Sequence, residues 1–199
     1  MLGKQIIERN SAMNFLEFKI LESAETNDHQ VRVFVDRKDI MSLAYLGLDP
    51  LNFNAKNSLK SDGWSTVGRC SCGVEGCDDL DIDIEVTDHS VVWRSDRGMY
   101  FEFVKSQYIS ALDNVSSDHS WEDNNRTAER LVSEVFREKT LKGNFAFKWA
   151  SARIEKGVIR LSFEGGYDQK LFDIKWDGEN PDTALASARL AIKEIGFYE

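Results

Sequence analysis

Alternating apolar and polar residues mark much of this chain, and a period of two is typical of β-strands with one buried face. The clearest case is Leu80–Val86, where four apolar residues alternate with three carboxylates. Further stretches of this kind are 15–21, 31–36, 64–69, 90–95, 98–104, 145–154, 158–163 and 171–176. Because short turns separate many of them, the pattern predicts antiparallel sheets built from hairpins.

Apolar residues at helical spacing predict helices between these strands. The predicted helices cover 40–48, 105–115, 120–143 and 180–196. The third opens with Ser120-Trp121-Glu122-Asp123, which has the form of a capping box. The fourth has Asn180 as its N-cap and Pro181 at the first helical position, where proline is favoured. The polar region 51–63 predicts a loop.

Strands that occur in blocks with helices between them indicate an α+β fold, in which helices pack on one face of antiparallel sheets. An order of strands followed by a helix recurs over 15–46, 80–115 and 145–195, which is compatible with a structural repeat. The length of 199 residues and the lack of a flexible linker predict a single domain, 1–199. Residues 1–12 precede the first strand and are a candidate for disorder.

The charge balance limits the classes of partner. The net charge is -9, and lysine and arginine are scattered rather than clustered, so the sequence predicts no nucleic-acid-binding face. No apolar run approaches the roughly 20 residues that cross a bilayer. The N-terminus also lacks the features of a signal peptide. We therefore predict a cytoplasmic protein that does not bind membranes and whose acidic surface suits a basic protein partner.

All three cysteines, Cys70, Cys72 and Cys77, lie in the stretch GRCSCGVEGC. Structural zinc sites usually draw four ligands from two pairs of the form C-x(2–4)-C, whereas the spacing here is C-x-C-x(4)-C. The candidates for a fourth ligand are Asp78, Asp79 and His89. A redox site would favour C-x-x-C at a helix N-terminus, but this loop leads into a strand.

A compact turn is the other interpretation of the same stretch. Gly68, Gly73 and Gly76 allow backbone conformations with positive φ. Cysteine often serves as a small buried apolar residue. The sequence favours this turn with buried thiols, and a zinc site at Cys70, Cys72 and Cys77 is the alternative.

Four carboxylates, Asp79, Asp81, Asp83 and Glu85, follow one face of the predicted strand at i, i+2 spacing, about 7 Å apart. Such a row can bind a basic partner or a hard cation. More commonly it is the solvated face of an antiparallel sheet.

No G-x-S-x-G, P-loop or G-x-G-x-x-G motif occurs in the sequence. With the acidic balance, this favours a non-catalytic protein that acts by protein–protein binding. An acidic antagonist of a basic toxin or nuclease, of the immunity-protein kind, fits these features, with Asp79, Asp81, Asp83 and Glu85 as the binding residues. The alternative is a small zinc-binding or metal-dependent protein centred on the cysteine loop.

Four stretches carry a resemblance to a known group of sequences. GRCSCGVEGC, VVWR, YFEFVKSQYISALDNV and WEDNNRTAERLV occur in this order. They resemble a group of uncharacterised bacterial proteins with a C-x-C-G-x-x-G-C element, a V-x-W strand, an F-x-F…Q-Y-x-x-A-L segment and a W-E…R helix. The resemblance implies a bacterial, soluble, single-domain protein and no particular activity. Many members have an aromatic residue or proline where this chain has Asp78 and Asp79.

Overall fold

The computed structural model describes residues 13–23, 25, 28–54, 57–72 and 76–195. The chain forms two compact units, which divide between Asp118 and His119. Each unit has its own apolar core. The predicted single domain, 1–199, stays a prediction, since two compact units can still unfold together. Residues 1–12, the candidate for disorder, lie outside the described residues.

The first unit contains two antiparallel sheets. Its strands are β1 (Leu16–Ser23), β2 (Asp28–Val35), β3 (Lys38–Asp39), β4 (Tyr45–Leu46), β5 (Gly63–Cys70), β6 (Leu80–Val86), β7 (Ser90–Arg94) and β8 (Tyr100–Val104). Its helices are α1 (Pro50–Asn54), a 3-10 turn (Asn57–Lys60) and α2 (Lys105–Ser117). One sheet has the order β1-β2-β3 and the other the order β4-β5-β6-β7-β8. These hairpins confirm the predicted antiparallel pairing.

The predicted helix over 40–48 is wrong. This stretch forms turns and β4, in which Tyr45 pairs with Cys70 of β5. Arg32 fixes the segment by donating hydrogen bonds to the carbonyl oxygens of Tyr45 (2.7 Å) and Ser42 (2.6 Å). A short helix instead occupies Pro50–Asn54, where the sequence predicted the start of a loop. The first of the three predicted repeats therefore lacks its helix.

The inner face of the five-stranded sheet and α2 share one apolar core. Trp93 and Tyr108 lie at its centre, and the Trp93 indole donates a hydrogen bond of 3.2 Å to the Tyr108 hydroxyl. That hydroxyl donates to the Leu59 carbonyl oxygen at 2.6 Å. Burial raises the pKa of Tyr108 well above its usual range, so this hydroxyl stays a donor. The core holds β5 and β6 in a fixed register beside the cysteine loop.

The second unit contains one antiparallel sheet and two helices. Its elements are α3 (Asn124–Phe136), β9 (Thr140–Leu141), β10 (Phe145–Glu155), β11 (Val158–Gly165), β12 (Asp168–Lys175) and α4 (Pro181–Glu194). The sheet order is β12-β11-β10-β9, and both helices share a core with the sheet face that carries Ile159, Leu161 and Phe163. The architecture is α+β, as predicted.

Two sequence-based details of this unit change. The N-cap of α3 is Asp123, whose carboxylate accepts a hydrogen bond from the Arg126 N–H, so the capping box opening at Ser120 is wrong. The helix ends at Phe136 rather than near Gly143, because the chain leaves it for β9. The prediction of Asn180 as N-cap with Pro181 at the first helical position is confirmed.

A register shift in β10 changes which of its residues face the core. It lies between Phe147 and Trp149, and beyond it Ala150 and Ala152 are buried. Both Phe147 and Trp149 are half-buried, but Phe147 packs against the core and Trp149, which simple alternation places on the same face, is not part of that cluster. The extra residue of a bulge changes which side chains face each side of the sheet.

Within the described residues, no helix combines the length and apolar character that crossing a membrane requires.

Candidate metal centre

The connection from β5 to β6 brings the three cysteines together. Cys70 is the last residue of β5, Cys72 lies in the following turn, and Cys77 lies three residues before β6. Their Sγ atoms all lie within 4.8 Å of one another. Because β5 and β6 pair in antiparallel orientation, the end of β5 and the start of β6 lie side by side, and these are the two ends of the loop.

Asp79 ties the two arms of the loop to each other. One carboxylate oxygen accepts a hydrogen bond of 3.1 Å from the Cys70 N–H, and the other accepts one of 2.8 Å from the Gly76 N–H. Cys70 and Gly76 stand on opposite arms, so this carboxylate holds Cys77 near Cys70. Because Asp79 precedes β6, it does not belong to the row of carboxylates on that strand.

Arg97 anchors the loop from outside. Its guanidinium donates a hydrogen bond of 2.5 Å to Asp78 and lies 5.2 Å from the centroid of the Tyr45 ring. Arg97 therefore links the Asp78 end of the loop to β4, and the pairing of Tyr45 with Cys70 links the other end to the same strand. The Asp78 carboxylate, a candidate metal ligand in the sequence, is thus paired with Arg97.

The glycines of the loop have different roles. Gly76 has a φ of 76°, as predicted for a turn glycine. Gly68 does not have positive φ, but a Cβ atom there would meet Met41 Cε at 2.5 Å and the Leu46 carbonyl oxygen at 3.3 Å. It therefore allows β5 to pack closely against its neighbours. Gly73 lies outside the described residues.

The thiols are more accessible than the sequence predicted. Cys70 is half-buried, whereas Cys72 and Cys77 are exposed. The prediction of a turn with buried thiols is therefore wrong for two of the three cysteines. Burial of apolar surface does not explain why these two side chains face each other.

Crowding of the three thiols affects their protonation. Hydrogen bonding to Cys72, together with the charges of Cys72 and Cys70 as thiolates, raises the pKa of Cys77 to about 11. The cause is that thiolates in close contact repel one another, so the last proton is held tightly. A metal ion that binds all three sulfurs would displace this proton and cancel the repulsion.

The described residues add no fourth side chain to the cluster. The group of potential ligands that they bring together consists of Cys70, Cys72 and Cys77. Asp78 and Asp79, predicted as candidates, bond to Arg97 and to the loop backbone instead. His89 follows the far end of β6, whose 7 residues span about 20 Å.

The predicted acidic row lies on the outer face of the five-stranded sheet. Asp81, Asp83 and Glu85 alternate with the buried residues of β6. The Thr66 hydroxyl donates a hydrogen bond of 2.5 Å to Asp81, and Arg94 lies 2.7 Å from Glu85. Two of the three carboxylates thus have partners within the sheet.

Sequence reasoning missed the role of Asp79 and the alignment of Trp64 with Tyr100 on one sheet face. The i, i+2 spacing groups Asp79 with the strand, but its position directly before a strand and after a glycine-containing loop is typical of a residue that caps loop backbone. Trp64 and Tyr100 lie on the same sheet face as the acidic row, but local alternation gives no information on which strands are neighbours.

Fold and site together define a class: an α+β chain with an exposed cluster of three thiols in a hairpin connection. No family model, curated protein or solved structure matches this chain. The likeness to the C-x-C-G-x-x-G-C proteins stays a prediction from the sequence.

Proposed function

We propose that this protein works by binding, and that it binds a thiophilic metal ion, foremost zinc, through Cys70, Cys72 and Cys77. The observation that carries the proposal is the approach of all three Sγ atoms to within 4.8 Å. Three thiols that merely filled a turn would have no reason to converge at the surface.

The separation of the sulfurs supports this choice of ion. Zinc binds thiolate sulfur at about 2.3 Å in tetrahedral sites, which places two sulfur ligands about 3.8 Å apart. The cluster would need to contract by about 1 Å at most to reach this spacing. Thiolate ligands favour zinc and Cu(I) over magnesium or calcium.

Accessibility supports an exchangeable ion. Cys72 and Cys77 are exposed, so an ion can reach the cluster from solvent. With three protein ligands, a tetrahedral zinc ion keeps one position for water or another external ligand. The two hydrogen bonds that Asp79 accepts position the loop, and they do not require Asp79 to act as a metal ligand.

The proposal is tested by metal analysis of the protein purified without chelators under reducing conditions. We expect about one zinc ion per chain, by elemental analysis and by native mass spectrometry. Cys72→Ser should remove it, because two thiolates bind zinc much more weakly than three. Ser71→Ala is the matched control, since it changes the neighbouring exposed residue and leaves all three thiols in place.

A second measurement tests zinc binding without relying on zinc that copurifies with the protein. Zinc is added to the reduced apoprotein in competition with a chromophoric chelator. Wild type and Ser71→Ala should withdraw zinc from the chelator, and Cys72→Ser should not. Equal competition by Cys72→Ser and wild type would contradict the site, as would no zinc uptake by any of the three proteins.

The thiols also support a cytoplasmic location as part of the proposal. Zinc binding through Cys70, Cys72 and Cys77 requires all three thiols to be reduced. Neighbouring exposed thiols persist in a reducing compartment and are readily oxidised outside it.

A second candidate function is binding of a basic protein through the outer face of β6, as an acidic antagonist would require. The observation that favours it is that Asp81, Asp83 and Glu85 point away from the core on a sheet face that also exposes Trp64. Neutralising these three carboxylates should abolish such binding and leave the circular dichroism spectrum unchanged.

A further inference from the structure

The strand register aligns four side chains in one row across the outer face of the five-stranded sheet. Trp64 pairs with Asp83, Asp83 with Arg94, and Arg94 with Tyr100. Directly paired residues of a sheet point to the same face, and Asp83 lies between the buried Ile82 and Ile84 of β6, so all four lie on the outer face. Trp64 and Tyr100 stand at the two ends of this row.

Both aromatic residues are unusually accessible. Trp64 is 61% exposed and Tyr100 is 55% exposed. Removing an aromatic ring from water lowers the free energy, and most of the surface of each of these rings is still in contact with water. Tryptophan, tyrosine and arginine are also the residues most enriched at the energetic centres of protein interfaces. We infer that the row becomes buried against a partner.

The charge around the row indicates the chemistry of that partner. Asp81, Glu85 and Glu102 occupy outward positions next to the row. Arg94 is the cation of the row itself. Arg94 lies 2.7 Å from Glu85 and 5.7 Å from the centroid of the Tyr100 ring, so its charge is already compensated. The face carries excess negative charge, which is complementary to a basic partner.

Asp83 is the best placed carboxylate for such a contact. Within the described residues its side chain forms neither a hydrogen bond nor an ion pair, whereas Asp81 and Glu85 do. It lies between Trp64 and Arg94 in the row. A cation placed over the Trp64 ring would be within reach of this carboxylate.

We propose that this face binds an arginine-rich segment of a basic protein, with guanidinium groups stacked on Trp64 and Tyr100 and one of them paired with Asp83. This inference rests on the second candidate function and is independent of metal binding. Arginine is preferred to lysine because its planar guanidinium stacks on aromatic rings and binds carboxylates in a bidentate way.

The spacing of the rings defines the segment. Trp64 and Tyr100 are three strands apart, which is about 14 Å at about 4.8 Å per strand. An extended chain covers this distance in about four residues. Two arginines at i and i+4 of an extended segment therefore match the two rings.

The experiment compares two peptides of equal length and charge by isothermal titration calorimetry. One has arginines at i and i+4, and the other has lysines at the same positions. We expect wild type to bind the arginine peptide about threefold to tenfold more tightly. The double variant Trp64→Ala/Tyr100→Ala should lose this preference. Asp83→Asn should weaken binding of both peptides.

Matched controls separate this face from general attraction to an acidic protein. Tyr167→Ala removes a fully exposed aromatic residue from the second unit, and Glu155→Gln removes an exposed carboxylate from β10. Both should retain the affinity and the arginine preference of wild type.

Two outcomes distinguish the inference from the function on which it rests. If Asp83→Asn weakens binding but Trp64→Ala/Tyr100→Ala keeps the arginine preference, the stacking inference is overturned and the acidic face stands. If Asp81→Asn/Asp83→Asn/Glu85→Gln binds both peptides as tightly as Glu155→Gln does, the acidic face is overturned as well. Circular dichroism confirms that each variant is folded.

Discussion

At the scale of single residues, the structure gives several charged side chains roles that their sequence context does not suggest. Glu129 looks like an ordinary polar residue of an amphipathic helix, yet it is fully buried. It accepts hydrogen bonds from Arg126 (2.8 Å), from the Ala152 N–H (2.8 Å) and from Arg153 (2.9 Å). It therefore joins α3 to β10 just beyond the register shift in that strand.

Replacing Glu129 by glutamine should strongly destabilise the second unit. The substitution keeps the shape but removes the charge of the carboxylate that pairs with Arg126 and Arg153, and Arg126 is itself buried. Loss of one member of a buried ion pair costs about 3–5 kcal/mol of unfolding free energy. Urea denaturation followed by circular dichroism measures the change.

The matched control for this substitution is Glu134→Gln on the same helix. Its carboxylate is half exposed and lies 3.4 Å from Arg130. Exposed ion pairs contribute about 0.5 kcal/mol or less. Equal losses for the two variants would contradict a structural role of the buried network.

At the scale of elements, strands were easier to predict than helices. Alternation located β1, β2, β5, β6, β7, β8, β10, β11 and β12. The stretch 40–48 cannot be told from a helix by its sequence, because a short apolar run has no distinctive period. Its conformation depends on the hydrogen bonds from Arg32, which comes from another strand.

The boundary of α3 gives a prediction at this scale. Asp123→Ala removes the side-chain acceptor of the Arg126 N–H and should cost about 1 kcal/mol. Asp123→Asn should cost much less, because asparagine is an equally good N-cap. The midpoints of urea denaturation compare the variants. A larger loss for Ser120→Ala than for Asp123→Ala would restore the capping box inferred from the sequence.

At the scale of the whole molecule, each of the two apolar cores is built from one continuous segment of the chain. Every residue of the second core lies between Ala128 and Ile195. The apolar residues that form this core therefore all come from the second unit. The prediction of a single domain from length and composition is not tested by this separation, because cooperativity is a property of unfolding.

A truncated chain tests this point. We expect His119–Glu199, expressed alone, to fold with the far-ultraviolet circular dichroism of a mixed α+β protein and to unfold cooperatively. Phe136→Ala in the same fragment removes a fully buried ring and should lower the unfolding free energy by about 3–5 kcal/mol. An unfolded fragment, with an intact full-length protein, would support the single domain.

The α+β class, the hairpins and the N-cap of α4 could be predicted from the sequence. The reason is that alternation, helical spacing and capping act between residues close along the chain. It also identified Cys70, Cys72 and Cys77 as the group to examine. Their exposure, which the sequence predicted wrongly for Cys72 and Cys77, depends on how the chain packs around the loop.

Tertiary structure alone decided what surrounds these residues. The approach of the three sulfurs depends on the pairing of β5 with β6 and on the two hydrogen bonds to Asp79. The row from Trp64 to Tyr100 depends on the register of four strands. Strand partners and register are set by burial of the whole sheet face, and a local pattern contains no information on which residues meet across it.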